Sequence, residues 1–514
     1  MPVSHFARAA TALVCLALYL TLSASVCSAQ DKPAAAKPEN AAKPAGEAKG
    51  LQAGAATANI TPEIGLPIVG GFTPAPSTHI HDELHARCFV IDDGERRVAL
   101  VVCDLLGAHR SVSDEARRLI AAKTGIPKEN VLISCTHTHS ASSALGDRTK
   151  VVDQKPDDYQ LFVAKRIADG VVRAVNTLRP AELAYGTVAA PEHVFNRRWF
   201  MRPGTMPENP FGTSDLVKMN PGSGPNLVEP AGPVDPTVHF LALREPSGKP
   251  IGLLATYSLH YVGDVGPGEI SADYFGYFAE QMKRLLTPEP QDPPFVAAMA
   301  NGTSGDINNN NLLKPQAARP RYGRMEYVAH DVAAKVQGEL ANVKYRRDIT
   351  VDARYREPMI GSRIVTPELM AWANKKVSEP AQELKDARGR PKADLSRIYA
   401  ERTIRLSQQP KELALPVQVL RIGDVCIGSL PCETFVEIGI EFKQRSPIKQ
   451  AFMISLNHGY YGYLPTPRQH ELGGYETWPG TNRIEKEASV KFLNQLVEMA
   501  GELAAPPTST KKAE

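Results

Sequence analysis

Hydrophobic and polar residues alternate along the chain in two periods, which predict strands and helices in alternation. Short apolar runs such as "RRVALVVCD" and "VLISC" have the length and β-branched content of buried strands. Stretches such as "SVSDEARRLIAAKT" repeat their apolar positions at the spacing of an amphipathic helix. Because tight hairpins join some strands and helices join others, the pattern predicts an α/β fold: a single large domain with a mixed β-sheet flanked by helices.

The predicted domain extends from residue 51 to about residue 504 without a linker-like interruption. Within it, a charged helical segment at about 367–406 is predicted to be an insertion, and residues 505–514 are predicted to form a disordered tail. Ligands of α/β folds bind at the ends of strands, so we expect the functional site on loops at strand ends.

The N-terminus has the organisation of a secretory signal peptide. A basic segment precedes an apolar run that ends at Val26, and small residues follow, which predicts cleavage near Ala29 and a signal peptide over 1–29. Lipid modification at Cys27 is an alternative. Residues 30–50 are rich in Ala, Pro and Lys and are predicted to be a disordered linker. We therefore expect a secreted or periplasmic protein.

Composition narrows the class of protein. The 514 residues are 43% hydrophobic and 22% charged, which is typical of a globular protein with a sizeable core. The net charge is only +3, and no cluster of Lys and Arg with interleaved aromatics occurs, which argues against nucleic-acid binding. The five cysteines beyond the predicted cleavage site show no CxxC spacing, so we expect buried free thiols, although one disulfide is possible.

Polar residues at the ends of predicted strands are the candidate site residues. His137 and His139 follow "VLISC", His260 ends another apolar run, Glu433 precedes a helix, and a tyrosine-rich loop follows His458. In an extended segment, residues two apart point to the same side, so the first two imidazoles could face one pocket.

Each candidate also has a purely structural interpretation. The paired histidines could be a hydrogen-bonded structural pair, and a lone histidine after a strand is usually satisfied by its neighbours. The glutamate could stabilise a helix N-terminus, and the tyrosines could form a surface loop. Taken together, two histidines and a carboxylate match the open donor set of a catalytic zinc ion. A further histidine could transfer protons, and a tyrosine could coordinate the metal or stabilise an oxyanion.

These residues, in this order, resemble the N-terminal catalytic domain of the neutral/alkaline non-lysosomal ceramidase family. "CTHTHS" matches the family's THTHS motif, and "FNRR" stands at its NRS motif. "NGTSGDINNN" stands where the family has GDVSPN, and "LPCETF" where it has a P-G-E-F-like segment. "GYLPTPRQHELGGYE" keeps the family's interval between two functional tyrosines. The motifs are collinear over most of the catalytic domain.

The resemblance implies a secreted zinc amidase that cleaves the N-acyl bond of ceramide or a similar N-acyl lipid through zinc-activated water. It also allows peripheral contact with a membrane. By this match, one zinc ion per chain would be coordinated by His137, His260, Glu433 and Tyr463. His139 would transfer protons. The substrate amide and its developing oxyanion would be held by Arg197 and Tyr475.

Departures from the family pattern keep other functions open. Asn308 replaces the serine of the GDVSPN motif, so no serine nucleophile can act at that position, and "SASSA" replaces a Gly-rich stretch after the histidines. One alternative is a related zinc hydrolase acting on another N-acyl or ester substrate. Another is a non-catalytic relative that binds a lipid or the cell envelope.

Overall fold

Three β-sheets and the helices packed on them organise the part of the chain that the computed structural model describes. This part is residues 50–505, apart from 73, 147–154, 315, 386–388 and 390. It belongs to one compact unit. The predicted signal peptide, the linker up to residue 49 and the tail beyond residue 505 lie outside the described residues. Among the helices described, none has the length and apolar character needed to span a bilayer.

All three large sheets are mixed. The first sheet contains, in spatial order, Val131–Cys135, Arg97–Cys103, His85–Asp92, Gln52–Asn59 and Arg179–Pro180. The second sheet contains Val296–Asn301, Pro250–Tyr257, Thr237–Arg244 and Glu182–Ala189. The third sheet contains Val351–Arg356, Val417–Ile422, Val425–Leu430 and Gln450–Ser455. Each sheet has one parallel pair of neighbouring strands, and its other pairs are antiparallel.

Helices and short strands connect these sheets. Within the described residues, the α-helices are α1 (Arg110–Thr124), α2 (Asp158–Asn176), α3 (Asp273–Leu286), α4 (Gly323–Glu339), α5 (Pro367–Ser378), α6 (Leu395–Ser407), α7 (Val436–Arg445), α8 (Pro467–Leu472) and α9 (Ala488–Ala504). Single 3₁₀ turns cover Lys128–Asn130, Pro191–His193 and Tyr475–Thr477. The shorter strands are Pro67–Ile68, Ala75–Pro76, His79–Ile80, Phe195–Asn196, Arg198–Met201, Val217–Met219, Leu227–Pro230, Glu269–Ile270, Ile307–Asn308, Met359–Gly361, Leu384–Lys385, Pro391–Lys392, Glu412–Ala414, Glu433–Thr434 and Tyr463–Leu464.

Local sequence explains where the helices on the first sheet begin and end. Helix α2 starts with a capping box, in which the Asp157 side chain accepts from the Gln160 N–H and the Gln160 side chain accepts from the Asp157 N–H. Helix α1 ends at Gly125, whose left-handed φ of 73° lets its N–H donate to the Ala121 carbonyl. Both helices bury an apolar face in one cluster with the first sheet.

The inner faces of the three sheets meet in a common core. Leu100 of the first sheet, Leu241 of the second and Phe452 of the third belong to the same buried cluster. Such burial contributes roughly 1.5–3 kcal/mol for each large apolar side chain. Because the faces interlock, the ends of strands from all three sheets are held in fixed relative positions.

The predicted fold class is confirmed, with the strands divided among several mixed sheets rather than placed in a single one. The two expected hairpins join Thr237–Arg244 to Pro250–Tyr257 and Val417–Ile422 to Val425–Leu430. Helices α5 and α6 lie within the predicted insertion. The expected thiol state is also found: Cys88, Cys103, Cys135, Cys426 and Cys432 are all buried and free.

Candidate active site

Three of the predicted site residues follow strands that belong to the parallel pairs of the three sheets. His137, His260 and Glu433 each lie two or three residues beyond the carboxyl end of a strand in the sheet's parallel pair. The ring centroids of the two histidines are 4.6 Å apart. The Nε2 atom of His137 lies 3.1 Å from Oε2 of Glu433. Each sheet therefore contributes one polar side chain to one buried point.

A left-handed turn directs His137 into the site. Its φ is 69°, a conformation that costs a non-glycine residue about 1 kcal/mol or more. Its N–H donates to the Leu105 carbonyl oxygen at 2.9 Å, and Nδ1–H donates to the Leu106 carbonyl oxygen at 2.7 Å. Because a carbonyl oxygen only accepts, the proton of the neutral ring is on Nδ1, and the Nε2 lone pair is left for the site.

His260 is oriented in the same way. Its Nδ1 lies 3.0 Å from the Ser304 carbonyl oxygen, so Nδ1 carries the proton. Its Nε2 is buried without a hydrogen-bond partner. Burial lowers the pKa of His260 well below the usual value, and the positive charge of Arg197 lowers it further. A neutral ring with a free, buried lone pair is the state in which histidine binds a metal.

Glu433 is held by backbone pairing and by tyrosine hydroxyls. It forms a two-residue strand whose partner across the parallel pair is Tyr463, and its N–H donates to the Gly462 carbonyl. Its Oε1 accepts from the Tyr460 hydroxyl at 2.5 Å. Its Oε2 is buried without a hydrogen bond and lies 3.7 Å from Nε2 of His260. When both rings are neutral, with their protons on Nδ1, Oε2 therefore faces two ring nitrogens that have no proton to donate to it.

The Glu433 carboxylate is ionised in this setting. Burial alone would raise its pKa, but a protonated His137, through its charge and a hydrogen bond, together with hydrogen bonds from Tyr460 and Tyr463, outweighs burial and lowers the pKa to about 2. A carboxylate buried in this way needs cationic or hydrogen-bonding partners to offset the cost of desolvation.

His139 lies beside the His137 ring and approaches the same Nε2 atom that faces Glu433. The Nε2 atoms of the two residues are 3.1 Å apart, and the rings meet edge to face. The ring of Tyr261 stacks on His139, with centroids 3.8 Å apart. Burial, and then the proximity of His137, lower the pKa of His139 well below the usual value.

Two tyrosines and an arginine lie beside these groups: Tyr463, Tyr475 and Arg197. The rings of the two tyrosines meet edge to face, and the Arg197 guanidinium carbon lies 5.3 Å from the Tyr463 ring centre. Nε of Arg197 donates to Glu476 at 2.9 Å, and the second oxygen of Glu476 accepts from Arg198 at 2.7 Å. Burial raises the pKa of Tyr475, so its hydroxyl stays protonated.

A cavity of about 90 Å³ opens onto this cluster. Of the predicted site residues, it is lined by His137, His139, Glu433, Tyr463 and Tyr475. His260 and Arg197 are buried and are not part of the lining. The structure thus gathers all seven predicted residues into one region while separating those that line the cavity from those that support it.

The donor atoms at the base of the cavity fit a metal ion. The ligand atoms of His137, His139 and His260 all lie within 4.8 Å of one another. Nε2 of His137, Nε2 of His260 and Oε2 of Glu433 converge, and in the neutral rings neither nitrogen carries a proton. A divalent cation between them would accept the two lone pairs and offset the carboxylate charge. Imidazole nitrogen and carboxylate oxygen are donors that zinc uses in catalytic sites.

Three details differ from what the sequence patterns indicate. The paired histidines face one cavity because of the left-handed turn, since the strand already ends at Cys135. Glu433 does not cap α7, because the Asp306 carboxylate accepts from the Val436 N–H at 2.9 Å instead. Asn308 is bonded to Asn220 at 2.6 Å and does not line the cavity.

Other residues of the site were not predicted from the sequence. Tyr460 binds Glu433, Glu476 binds Arg197, and Phe72, Arg402 and Arg483 line the cavity. The tyrosine-rich loop and the segment "GGYETW" were the available signals for the first two. The last three come from a glycine-rich loop, the predicted insertion and a loop before α9, where residue type alone does not indicate a site.

Comparison with known proteins identifies the family and relatives of this chain. The family model described as "Neutral/alkaline non-lysosomal ceramidase, N-terminal" matches residues 52–321, just over half of the 514 residues. A neutral ceramidase of Pseudomonas aeruginosa is 22% identical over 456 residues, which are 77% of this chain and 64% of the relative. A neutral ceramidase of Mycobacterium tuberculosis is 22% identical over 461 residues, which are 77% of this chain and 68% of the relative.

Solved structures share the fold. The crystal structure of the neutral ceramidase from Pseudomonas aeruginosa superposes with a TM-score of 0.66 at 20% identity, covering 88% of this chain and 74% of that chain. A ceramidase complexed with C2 gives a TM-score of 0.64 at 20% identity, covering 88% of this chain and 75% of that chain. The present chain spans less than two thirds of the Pseudomonas relative in the sequence match. On the family match, the chain belongs to the neutral/alkaline non-lysosomal ceramidase family.

Proposed function

We propose that this protein is a secreted, zinc-dependent amidohydrolase that cleaves the N-acyl amide bond of ceramide or a similar N-acyl lipid. The observation that carries the proposal is the convergence of His137, His260 and Glu433, one from each sheet, on a single buried point below a cavity. Family membership supports the choice of an amide as the bond and of a lipid as the substrate. Export rests on the N-terminal sequence.

The proposed zinc ligands are His137, His260, Glu433 and Tyr463. When bound, zinc lowers the pKa of water towards neutrality and polarises a carbonyl group. The backbone carbonyls of Leu106 and Ser304 keep Nε2 of the two histidines free to coordinate. Tyr460 holds the carboxylate in place through Oε1, which leaves Oε2 for the metal.

The chain's own groups then handle protons and charge. His139, with Nε2 3.1 Å from that of His137, takes a proton from the attacking water and returns it to the departing amine. As water oxygen bonds to the carbonyl carbon, the C–N bond breaks, and the products are a fatty acid and a free amine. The hydroxyl of Tyr475, which lines the cavity, donates to the oxyanion that develops on the carbonyl oxygen. Glu476 fixes the Arg197 guanidinium beside the Tyr463 ring, from where its positive charge favours the same oxyanion.

Zinc content and amide hydrolysis test the proposal. We expect purified wild type to bind one zinc ion per chain by elemental analysis and to release the amine from a fluorescent N-acylsphingosine. His137→Ala should lose most of both. His239→Ala is the matched control, because His239 is also buried but bonds Tyr185 away from the cavity. Absence of zinc from wild type and His137→Ala alike would sink the metal assignment.

A further inference from the structure

We propose that the cavity selects N-acyl amides that carry an anionic group, a carboxylate or a phosphate, on the amine side close to the scissile bond, and that Arg402 and Arg483 bind this group. The inference rests on the proposed amide hydrolysis and adds the class of substrate. Both arginines line the same cavity as His137, His139 and Glu433. Neutral ceramide offers no anion to them.

The two arginines reach the cavity from unrelated segments. Arg402 is on α6, within the segment predicted to be an insertion, and Arg483 is on the loop that precedes α9. Neither segment contributes a proposed zinc ligand. Two cationic side chains from separate parts of the chain therefore line a cavity together with the proposed metal ligands His137 and Glu433.

Arg402 is positioned by neutral groups. Its Nη1 donates to the Tyr399 hydroxyl at 3.3 Å and to Thr481 Oγ1 at 3.4 Å. Its guanidinium carbon lies 5.0 Å from the Tyr399 ring centre and 5.5 Å from that of Phe72. None of the ion pairs between described residues involves Arg402, whose planar fork is thus held in place without a carboxylate to neutralise it.

A glycine makes room for this arginine. Gly480 has φ 91°, and a Cβ at that position would lie 2.6 Å from Cβ of Arg402. Both the backbone conformation and the close approach disfavour any other residue. The loop is thus built so that α6 can bring Arg402 against the lining of the cavity.

The ring of Tyr460 lies between Arg483 and the proposed metal ligand Glu433. Its guanidinium carbon lies 5.5 Å from the Tyr460 ring centre, and the Tyr460 hydroxyl donates to Glu433. An anion held by Arg483 would therefore lie close to the carbonyl that is attacked. This places the anionic group on the substrate itself, within a few bonds of the amide.

The charge of the lining also favours an anion. Glu433 is the acidic member of the lining, and its Oε2 faces the histidine cluster. Glu476, nearby, is engaged by Arg197 and Arg198. Guanidinium groups bind carboxylate and phosphate through paired N–H donors, with stronger and more directional hydrogen bonds than neutral donors make.

Substrates that differ only in the amine side test the inference. The set is N-octanoylethanolamine, N-octanoylglycine and N-octanoyl-O-phosphoethanolamine, at concentrations that keep them monomeric and without vesicles, with a short-chain ceramide as the family reference. We expect zinc-loaded wild type to have a higher kcat/KM for at least one of the anionic amides than for both neutral ones. The two anionic substrates distinguish carboxylate from phosphate recognition.

Variants assign the preference to the arginines. In Arg402→Gln and Arg483→Gln, the ratio of kcat/KM for the anionic over the neutral substrate should fall by about tenfold or more, mainly through KM. Arg402→Lys should retain part of the preference. Arg118→Gln, on the exposed face of α1, is the matched control and should keep the wild-type ratio.

Each remaining outcome counts against the inference. Equal or better hydrolysis of the neutral substrates by wild type overturns it, as does an equal loss for both substrate classes in the glutamine variants. A preference that emerges only with phosphatidylglycerol vesicles would reassign the arginines to a membrane surface. If no amide is hydrolysed at all, the proposed function fails, and calorimetric binding of N-octanoylglycine to wild type and Arg402→Gln still tests the anion site.

Discussion

The hydroxyl of Tyr460 shows how one residue outside the metal set controls a ligand. It donates to Oε1 of Glu433, so that Oε2 alone is presented to the histidines. Partners of this kind orient ligands and tune their basicity. The residue lies in a run of three tyrosines within four positions, "YYGY", of which the sequence pattern selected Tyr463 alone.

Removing that hydroxyl should weaken metal binding. We expect Tyr460→Phe to lower zinc affinity by about tenfold or more, because the freed carboxylate can rotate away from the histidines. Competition with a chromogenic chelator measures the affinity. Tyr185→Phe, which removes a phenol bonded to His239 outside the site, should leave zinc affinity unchanged. Equal affinities in wild type and Tyr460→Phe would refute a positioning role.

The buried carboxyl of Asp306 makes the stability of the fold near the site depend on pH. It is fully buried, accepts from the Val436 N–H and from Asn196, and has its pKa raised to about 7 by burial. Its pKa in the unfolded chain is near 3.9. Between these values the folded state keeps a proton that the unfolded state loses, so stability from this residue is highest at low pH and falls as pH rises towards 7.

Removing this carboxyl should flatten the pH dependence. Between about pH 5 and pH 7, the free energy of unfolding of wild type should fall by about 2 kcal/mol relative to the change in Asp306→Asn. Urea denaturation of both proteins at the two pH values measures the difference. Parallel curves would show that Asp306 titrates in the folded protein as it does in the unfolded chain.

At the scale of elements, glycines set how closely helices approach sheets. A Cβ on Gly170 of α2 would lie 2.6 Å from Sγ of Cys88 in the first sheet. On Gly338, near the end of α4, a Cβ would meet nothing within 4 Å. The two positions have the same residue in the same kind of element but opposite packing constraints.

Alanine at these two positions should therefore act in opposite directions. We expect Gly170→Ala to destabilise the fold by about 1–3 kcal/mol, because the added methyl overpacks the contact between helix and sheet. Gly338→Ala should stabilise it by about 0.5–1 kcal/mol, because alanine is the better helix former. Thermal unfolding of the two variants beside wild type gives both signs. A stable Gly170→Ala would mean that α2 can shift outward freely.

Elements were more predictable from the sequence than their contacts. Helices α1 and α2 and the strands that end at Cys135 and Leu430 were predictable, because the alternation of buried and exposed positions within each element is written in its own sequence. The turn at His137 was not predictable, because a left-handed histidine is selected by the carbonyls of Leu105 and Leu106, which are remote in sequence. Likewise, the periodicity of α6 shows which face is buried but not that Arg402 lines the cavity.

At the scale of the whole molecule, a bound metal would tie the three sheets together. Three of its four proposed protein ligands follow one strand end in each sheet, so all three sheets must be in place for tight binding. A ligand that binds only the folded state stabilises it by about 4 kcal/mol at a thousand times its dissociation constant.

Chelation should accordingly lower the thermal stability of the whole domain. We expect the zinc-loaded protein to unfold in a single transition, and the protein stripped with a chelator to unfold at a lower Tm, again in a single transition. In His260→Ala the chelator should make little further difference. Scanning calorimetry distinguishes these cases. A second transition appearing on chelation would show that the sheets unfold independently.

The location of Arg402 has a consequence for how such proteins diversify. The groups proposed to break the bond are anchored at the ends of core strands, whereas this arginine arrives on a peripheral helix pair that contributes none of them. Exchange of the segment 367–406 between relatives would then transplant a preference for one amine while the reaction centre stayed intact. The residues that break the bond and the residue that selects the amine would thus lie in separate segments of the chain. A redesign of substrate preference should therefore begin with the segment 367–406.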